Sequence, residues 1–401
     1  MIGPMSGSAM PESASQLSAA ADVSPALAYL FMLREGPTYS LDDMAPECAL
    51  LSQRFAGEYW SYGSYEADTQ IGRIRVRIVK DRSALRVVNF IRFARRVLQR
   101  TREIQLPPGT RIVSTSYDPF KGGLLALWVA RRLHAAFVCE VNGVYGSPDN
   151  FADLKSTIWR KLRLLQMRII GSYVLGRANG VRLLYSGQLN NFATLQPSTI
   201  VRQFFALTYT ERFYEAPEEP IVLAAGFPFM RKGVDLLVAA FLRLAPQFPN
   251  WRLVLIGHLI PDGLRARGIA HPQIVALPGL PQQELAKWIS RCAILALTSR
   301  SEAMGRVLLE SAAAGKTRIA ARVDGIPTVI NDGADGVLVE RGNVEALVAG
   351  LAKLMRDEGL RRRLGSAARL RVGSEFSPAA YLEHYSELIT AACNAQDDHS
   401  Q

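Results

Sequence analysis

Short apolar runs alternate with longer amphipathic stretches along almost the whole chain, and this alternation limits the folds that it can adopt. Strands alternating with helices of this length form βαβ units, in which a parallel sheet is covered on both faces. In the first half, we predict strands at 26–33, 74–79, 111–114, 136–141 and 181–185. The helical patterns between them are 42–55, 85–100, 122–133 and one or two long helices within 150–178.

The second half repeats the alternation after an interruption at 214–220, where prolines and acidic residues cluster. Strands are predicted at 221–225, 252–256, 274–277, 294–298, 318–320 and 336–339, and helices at 234–244, 282–291, 307–314 and 344–355. The sequence therefore predicts an α/β protein with two Rossmann-like parallel-sheet domains that face a cleft. We expect a disordered tail at 1–24, an N-terminal domain at 25–217, a C-terminal domain at 218–375, and a crossover helix and tail at 376–401. Ligands bind at the carboxyl ends of such strands, so site residues should lie in loops that follow strands.

Cysteine and histidine usage gives no sign of a disulfide framework or a metal site. The four cysteines are scattered without a CxxC pair, and the five histidines lack metal-ligand spacing. This pattern predicts reduced thiols. No stretch approaches the ~20 apolar residues that span a bilayer, and residues 1–25 lack the basic start and apolar block of a secretory signal. We therefore expect a cytoplasmic protein.

Positive charge is concentrated in the first half of the chain. Residues 1–217 contain 26 Lys and Arg against 17 Asp and Glu, whereas residues 218–401 contain 21 against 19. Between Arg73 and Arg102, 11 basic residues accompany one acid, Asp81. Such a field attracts polyanions, although an arginine-rich surface that serves only solubility is the alternative. Nucleic acid is not expected as a partner, because the region lacks aromatic interleaving and any recognition motif.

The segment 298–315, TSRSEAMGRVLLESAAAG, is the most informative part of the chain. Its pattern indicates a strand end, a loop with Glu302 and Gly305, and a helix whose second turn carries Glu310. Gly305 allows a close backbone approach, and the free N–H groups of a helix start form an anion site. A diphosphate bound there would leave Glu310 near a ribose and Glu302 near the sugar. Each charge-assisted hydrogen bond contributes ~1.5–3 kcal/mol.

Two further turns follow predicted strands in the second half. Gly226 ends the first strand, and Lys232 opens the next helix, where a lysine can reach a phosphate across the cleft. A solvated helix-start lysine is the alternative. The sequence DGIP at 324–327 is typical of a strand-to-helix turn.

In this order and spacing, these segments resemble the C-terminal domain of the family-4 retaining glycosyltransferases, which have the GT-B fold (glycosyl transferases group 1). The resemblance covers about 220–370. It includes the lysine-glycine after the first strand, the two glutamates eight positions apart, the DGIP turn, the GADGVLVERGN strand and turn, and the helix EALVAGLAKLM. Motif and structural context agree, which makes the resemblance specific. Residues 376–390 look like the segment that crosses back onto the N-terminal domain in this fold.

The resemblance implies transfer of a sugar from a nucleotide-diphosphate donor, with retention at the anomeric carbon and without a metal or other cofactor. Glu302 and Lys232 are the implied catalytic residues, with Glu302 on the donor sugar and Lys232 on phosphate, while Glu310 holds the ribose. The other implied donor-binding residues are Gly226, Ala303, Met304, Gly305 and Arg306. Catalysis then consists of positioning and charge stabilisation, and the leaving phosphate accepts the proton of the acceptor.

The chain departs from the family pattern at two positions. Phe227 stands where the family usually has an arginine that contacts the diphosphate. Leaving-group stabilisation is therefore expected from Lys232 alone, or from an Arg231 side chain that turns inward. Thr328 stands where an acid is common after the GIP turn.

The first half resembles the family only loosely, and its glycine-rich loop is reduced to REGP at 34–37. Three residues near predicted strand ends are candidates for the acceptor side: Lys121, Glu140 and Asn142. Polar strand ends exposed to water are the alternative for them.

The expected partners are a nucleotide-diphosphate sugar, an acceptor glycan or lipid-linked glycan, and an anionic membrane surface. The membrane expectation rests on arginines of 82–102, among them Arg92, Arg95 and Arg96, and on the basic 155–177 segment with Trp159, Leu162 and Leu165. The alternative is that the apolar residues belong to the core, which leaves only the charge to act. It predicts an enzyme at the inner face of the cell membrane that acts in cell-envelope or exopolysaccharide assembly. The alternatives are a non-catalytic nucleotide-sugar-binding or membrane scaffold protein and another sugar-nucleotide enzyme of this fold, such as an epimerase.

Overall fold

The computed structural model describes residues 26–34, 41–145 and 156–400; within helices, the side chains of 42, 43 and 398–400 are not described. The predicted tail at 1–24 lies outside the described residues.

In the described part of the chain the first sheet has eight strands, and seven of them run parallel. They are β1 (Tyr29–Leu33), β2 (Ala56–Gly63), β3 (Ala67–Ile71), β4 (Ile74–Lys80), β5 (Ile112–Ser116), β6 (Ala136–Val141), β7 (Gly180–Leu183) and β8 (Ile200–Gln203). Their order across the sheet is β3-β4-β2-β1-β5-β6-β7-β8, and the edge strand β3 is antiparallel to β4. The chain therefore reverses its direction of travel across the sheet between β1 and β5.

Within the described residues, four α-helices connect these strands: α1 (Leu41–Leu51), α2 (Arg86–Glu103), α3 (Lys121–Leu133) and α4 (Thr157–Leu175). The five strands predicted for this half are present with small shifts at their ends. The structure adds β2, β3 and β8, which the sequence analysis did not predict.

The second sheet has six parallel strands in the order β11-β10-β9-β12-β13-β14. They are β9 (Glu219–Ala225), β10 (Arg252–Ile256), β11 (Ile274–Leu277), β12 (Cys292–Leu297), β13 (Thr317–Arg322) and β14 (Val337–Glu340). Numbered from β9, this is the order 3-2-1-4-5-6 of the Rossmann fold, whose ligands bind where the order reverses. That switch point lies between β9 and β12.

The helices of the second half are α5 (Val234–Leu244), α6 (Ile260–Arg265), α7 (Gln282–Arg291), α8 (Arg306–Ala313), α9 (Val344–Arg356) and α10 (Glu358–Glu375). The predictions for α5 and α7 were correct at both ends, and α6 and α10 were not predicted. The architecture is the predicted one, because two parallel α/β sheets flank a cleft.

The last helix, α11 (Pro378–Ser400), packs against β5, β6, β7 and β8 of the first sheet and against α1. The predicted return of the chain to the first half is therefore present, and the helix extends about ten residues beyond 390. None of the helices in the described ranges combines the length and apolar character that crossing a bilayer would require.

Candidate functional site

An ion pair occupies the switch point of the second sheet. Lys232 lies in the turn between β9 and α5, and Glu302 lies in the loop after β12. The Nζ of Lys232 donates to the Oε2 of Glu302, and the Oγ of Ser299 donates to the same oxygen at 3.4 Å. Adjacent parallel strands deliver these loops to one edge of the sheet, which explains how residues 70 positions apart meet.

The Glu302 loop is braced by the DGIP turn. The Oδ2 of Asp324 accepts hydrogen bonds from the Glu302 N–H and from the Ser301 hydroxyl, each at 2.9 Å. The N–H of Gly325 donates to the Glu302 carbonyl at 3.2 Å. A side-chain Cβ at position 325 would lie 1.7 Å from the Ala303 carbonyl oxygen, so only glycine fits there. The DGIP pattern predicted a turn, and its contact with the Glu302 loop was not predicted.

Helix α8 begins at this loop. Its N-cap, Gly305, has a φ of 75°, in the left-handed region that glycine adopts readily. The N–H groups of the first turn therefore point toward the loop side, where an anion can accept from them. Glu310 follows in the second turn and is buried. Burial raises the pKa of its carboxyl, while Arg306 and a hydrogen bond from Gln282, at 3.4 Å, lower it by a smaller amount.

A cavity of about 450 Å³, here called the interdomain cavity, brings the predicted donor residues together. Its wall in the second half consists of Ala225, Gly226, Lys232, Gln282, Leu285, Glu302, Ala303, Met304, Gly305, Arg306, Val307 and Glu310. Its wall from the first half and the linker consists of Tyr117, Asn142, Leu184, Ala206 and Leu207. All eight donor-binding residues named from the sequence are on this wall.

The three acceptor-side candidates have different positions. Asn142 lines the interdomain cavity; its Nδ2 donates to the Tyr117 carbonyl at 3.2 Å, and its buried Oδ1 has no partner in the described part of the chain. Lys121 is exposed at the start of α3, with its Nζ 4.8 Å from the centre of the Phe90 ring, and does not line this cavity.

Glu140 requires a correction, because the structure does not place it at the cleft surface. It is fully buried, forms an ion pair with Arg34 at 2.8 Å, and accepts a hydrogen bond from Arg182. The Tyr385 hydroxyl donates to it at 3.4 Å. Burial opposes ionisation of Glu140, but the two guanidiniums outweigh it and hold the pKa of the carboxyl below its ordinary value. Its role is to pair two buried arginines.

The 227–231 turn supplies no cation for the diphosphate, from either Phe227 or Arg231. Phe227 is 43% exposed and packs edge-to-face with His258, their ring centres 5.5 Å apart. Arg231 does not turn inward, because its guanidinium donates to the carbonyls of Ser301 and Phe227, at 3.4 and 3.1 Å. Lys232 and Arg306 are therefore the cations on the described wall of the interdomain cavity.

A second cavity, of about 370 Å³, adjoins the first and is here called the linker cavity because residues 206–209 and Arg212 of the linker between the sheets form one side. Tyr59, Tyr117 and Arg182 line it from the first half, and Tyr381 lines it from α11. Sequence reasoning did not identify these residues as site residues.

The described residues contain no group of three His, Cys, Asp or Glu side chains arranged to share a metal ion. The four cysteines, Cys48, Cys139, Cys292 and Cys393, are all buried and unpaired.

Residues 209–371 match the family model of glycosyl transferases group 1. The chain is similar to the D-inositol 3-phosphate glycosyltransferase of Xylanimonas cellulosilytica, with 32% identity over 188 residues, 44% of each chain. The chain thus spans less than half the length of that relative.

Solved structures resemble the whole fold. Sucrose-phosphate synthase from Thermosynechococcus elongatus gives a TM-score of 0.70 at 17% identity and covers 90% of this chain and 98% of its own. Anabaena HepE, solved with UDP and glucose, gives a TM-score of 0.68 at 14% identity, covering 91% and 100%. The sheet topology and these neighbours show that the chain has the GT-B fold, and residues 209–371 of this fold resemble the glycosyl transferases group 1 family.

Proposed function

We propose that this protein is a retaining glycosyltransferase that transfers a sugar from a nucleotide-diphosphate donor bound in the interdomain cavity. The observation that carries the proposal is the meeting of Lys232, Glu302, the α8 N-terminus and Glu310 around one cavity at the switch point of the second sheet. The relatives and neighbours named as glycosyltransferases, and the neighbour solved with UDP and glucose, support the same donor class.

Each group on the wall has a task in this proposal. The diphosphate accepts hydrogen bonds from the first-turn N–H groups of α8 and is neutralised by Lys232. Glu302 accepts hydrogen bonds from the donor sugar, and Glu310 accepts them from the ribose hydroxyls. Breaking the bond between the anomeric carbon and the phosphate oxygen places negative charge on the leaving diphosphate, where these groups stabilise it.

The acceptor hydroxyl attacks on the face that the diphosphate leaves, so the configuration at the anomeric carbon is retained. Its oxygen forms the new bond to carbon, and its proton passes to the leaving phosphate oxygen. No protein base is then required, and the role of the chain is to align the two substrates. We also propose that no metal is needed, since Lys232 and the helix terminus can meet the developing charge.

We further propose that the acceptor is a lipid-linked or polysaccharide precursor and that the enzyme works at the inner face of the cell membrane. Helix α4 supports this proposal, because it exposes large apolar side chains at helical spacing among basic ones. The exposed apolar residues are Ile158, Trp159, Leu162, Leu165 and Ile169. The adjacent helices add Leu85, Val87 and Ile91 near the start of α2 and Trp128 of α3.

The charge of this surface complements an anionic bilayer. The exposed basic residues include Arg95 and Arg96 on α2 and Lys161, Arg163 and Arg168 on α4. Each basic side chain near an anionic surface contributes about 1 kcal/mol, and interfacial helices add burial of their apolar face. The face formed by α2, α3 and α4 is called the basic-apolar face below.

The donor proposal is tested by thermal unfolding of the protein with UDP-, GDP- and ADP-sugars, followed by transfer assays with the donor that binds. A nucleotide sugar should raise the unfolding midpoint by mass action. NMR of the product should show the anomeric configuration of the donor, and transfer should persist in excess EDTA. An inverted product contradicts retention, and EDTA-sensitive transfer that magnesium restores contradicts the metal-free mechanism. Binding without turnover across the acceptors tried would favour a non-catalytic binding protein.

A further inference from the structure

The linker cavity is placed to hold the second substrate of the proposed reaction. It shares Tyr117, Arg306 and Glu310 with the interdomain cavity, so a molecule in it would adjoin the donor. Most of its remaining wall comes from the first domain and the linker, and Tyr381 of α11 completes it.

Positive charge predominates in the linker cavity. Its wall carries Arg182, Arg212 and Arg306 against two carboxylates, Glu47 and Glu310. Glu47 is already paired with Arg34 at 3.1 Å, and Arg182 is paired with Glu140, so Arg212 and Arg306 supply the excess charge. Glu310 is buried, which disfavours its charged form. The cavity therefore offers more positive than negative charge to a ligand.

Two of the three arginines form no ion pair in the described part of the chain. Within the described residues, neither Arg212 nor Arg306 has a carboxylate within 4.0 Å, and both side chains are exposed. They come from different segments, since Arg212 belongs to the linker and Arg306 opens α8, and both line the cavity.

The third arginine, Arg182, is only 2% exposed. Its Nη1 is bonded to Glu140 and its Nη2 donates to the Phe205 carbonyl at 3.2 Å, while its Nε is buried without a partner among the described residues. A buried N–H without a partner is costly, so a ligand that supplies an acceptor gains affinity.

Tyrosines supply the rest of the polar wall. Tyr59, Tyr117, Tyr209 and Tyr381 line the cavity, and the buried hydroxyl of Tyr209 has no partner in the described part of the chain. Tyrosine combines an apolar ring face with a hydroxyl that donates and accepts. This wall suits a hydroxyl-rich ring compound.

The donor diphosphate does not account for Arg182 and Arg212. Lys232 lines the interdomain cavity and not the linker cavity, whereas Arg182 and Arg212 line the linker cavity and not the interdomain cavity. The two sets of cations are therefore separated, and Arg306 stands between them.

We infer that the acceptor is a phosphorylated polyhydroxyl compound whose phosphate binds in the linker cavity between Arg212 and Arg306, with Arg182 on its inner wall. This inference rests on the proposed function and specifies its acceptor. The phosphate can belong to a soluble sugar phosphate or to the diphosphate of a lipid-linked sugar, since both present the same oxygens to the guanidiniums.

The test compares phosphorylated acceptors with their phosphate-free counterparts in transfer assays. The soluble pairs are glucose 6-phosphate with glucose and myo-inositol 1-phosphate with myo-inositol. The lipid pair is undecaprenyl-diphosphate-linked N-acetylglucosamine with octyl N-acetylglucosaminide, both in phosphatidylcholine vesicles. At least one phosphorylated member should be glycosylated with a KM at least tenfold below that of its counterpart. The soluble and lipid arms identify which source supplies the phosphate.

The variant Arg212→Gln should raise the KM for that acceptor roughly 10- to 100-fold, the range for one charge-assisted contact. Its KM for the nucleotide sugar should stay within about twofold, and Arg212→Lys should recover part of the loss. Arg202→Gln is the matched control, because Arg202 is exposed on β8 and lines neither cavity. Inorganic phosphate should inhibit competitively against the acceptor, and less so in Arg212→Gln.

Equal use of phosphorylated and neutral members, transfer to neutral members alone, or an unchanged KM ratio in Arg212→Gln would overturn the inference. The inference would also be overturned if no phosphorylated compound were glycosylated while the nucleotide sugar still binds and is slowly hydrolysed. Donor binding and acceptor-independent hydrolysis report the proposed function separately; if the donor neither binds nor is hydrolysed, that function fails before the acceptor is considered.

Discussion

The ammonium of Lys232 and the carboxylate of Glu302 are paired at the switch point of the second sheet, and both are mostly buried. Each therefore holds the other in position beside the cavity in which we place the sugar and diphosphate. Neither residue can be removed without leaving a largely buried charge unpaired.

Lys232→Ala and Glu302→Ala should each lower kcat about 100-fold or more, because each removes one charged group from the reacting centre. The double variant should lose much less than the product of the two single effects, since the residues act as a pair. Steady-state kinetics measure this coupling. Lys287→Ala is the control, because its ion pair with Glu284 is exposed. Independent effects that multiply would show that the pair has no joint role.

Glu310→Gln should weaken donor binding and at the same time stabilise the protein at neutral pH. Burial raises the pKa of Glu310 in the folded protein. The stability that its carboxyl contributes is therefore present below its pKa in the unfolded chain, and is lost as pH rises through its pKa in the folded protein. A neutral amide avoids that loss but is a poorer acceptor for ribose hydroxyls; donor affinity should fall roughly tenfold. Calorimetry and thermal unfolding at pH 5 and pH 8 check both effects, and the stability gain should be larger at pH 8. A variant with unchanged donor affinity would remove Glu310 from the site.

Glu140→Gln should destabilise the fold by about 3–5 kcal/mol, because it leaves the buried guanidiniums of Arg34 and Arg182 without their anion. Since its pKa is lowered, the contribution of Glu140 is present above the unfolded pKa and is lost as pH falls through the folded pKa. Urea unfolding from pH 7 to pH 4 measures both. Glu219→Gln, which breaks a more exposed pair with Arg291, should cost less than about 1 kcal/mol. A stable Glu140→Gln protein with altered acceptor KM would return Glu140 to the acceptor side.

The basic-apolar face should bind anionic vesicles at low salt and release them at high salt. Arg95→Glu/Arg96→Glu should abolish most co-sedimentation, and Trp159→Ala/Leu165→Ala should weaken it even at low salt. Arg363→Glu and Leu370→Ala serve as controls, because both residues are exposed on α10 in the second domain. Equal recovery of the unaltered protein with neutral and anionic vesicles would leave a soluble acceptor as the better choice.

Gly325→Ala should destabilise the protein by about 1–3 kcal/mol or more and lower kcat, because its Cβ would displace the Ala303 carbonyl and with it the Glu302 loop. Gly373→Ala is the matched control. Gly373 lies in α10, and a Cβ there would have no atom within 4 Å. Alanine at this position should therefore raise the free energy of unfolding by about 0.5–1 kcal/mol. A Gly325→Ala enzyme with normal kcat would show that the DGIP turn does not position Glu302.

The second domain could be predicted closely because its strands are continuous apolar runs and its loops carry glycines and charges at fixed positions. Helix α5 and helix α7 follow from that pattern, whereas the ion pair between Lys232 and Glu302 was not predicted. In the first domain, β2 has the sequence AGEYWSYG, whose glycines and polar residues hide a strand that is nevertheless almost wholly buried. Glu58 of this strand is buried because Arg100 of α2 pairs with it. The sequence of the strand alone does not reveal that partner.

The acceptor side could not be derived in the same way. Polar residues near strand ends are expected to face a cleft, and this rule placed Glu140 on the acceptor side. The rule fails for Glu140, because Arg34 and Arg182 pair with it inside the first domain. The linker cavity is formed by segments that are distant in the chain, including Tyr59, Arg212 and Tyr381. No local pattern marks such residues, since only the packing of the linker and α11 brings them together.

Helix α11 also bears on the order in which the molecule can be made. It covers strands β5 to β8, with Leu388 and Ala392 packed at Gly180 and the Tyr385 ring against Phe55. While the ribosome is still adding the second domain, this side of the first sheet has no cover, because its last layer is encoded after residue 377. We therefore expect residues 26–217 expressed alone to aggregate, and a nascent chain released before α11 to need a chaperone on that apolar side. Adding a synthetic peptide of residues 378–400 should restore solubility to the fragment.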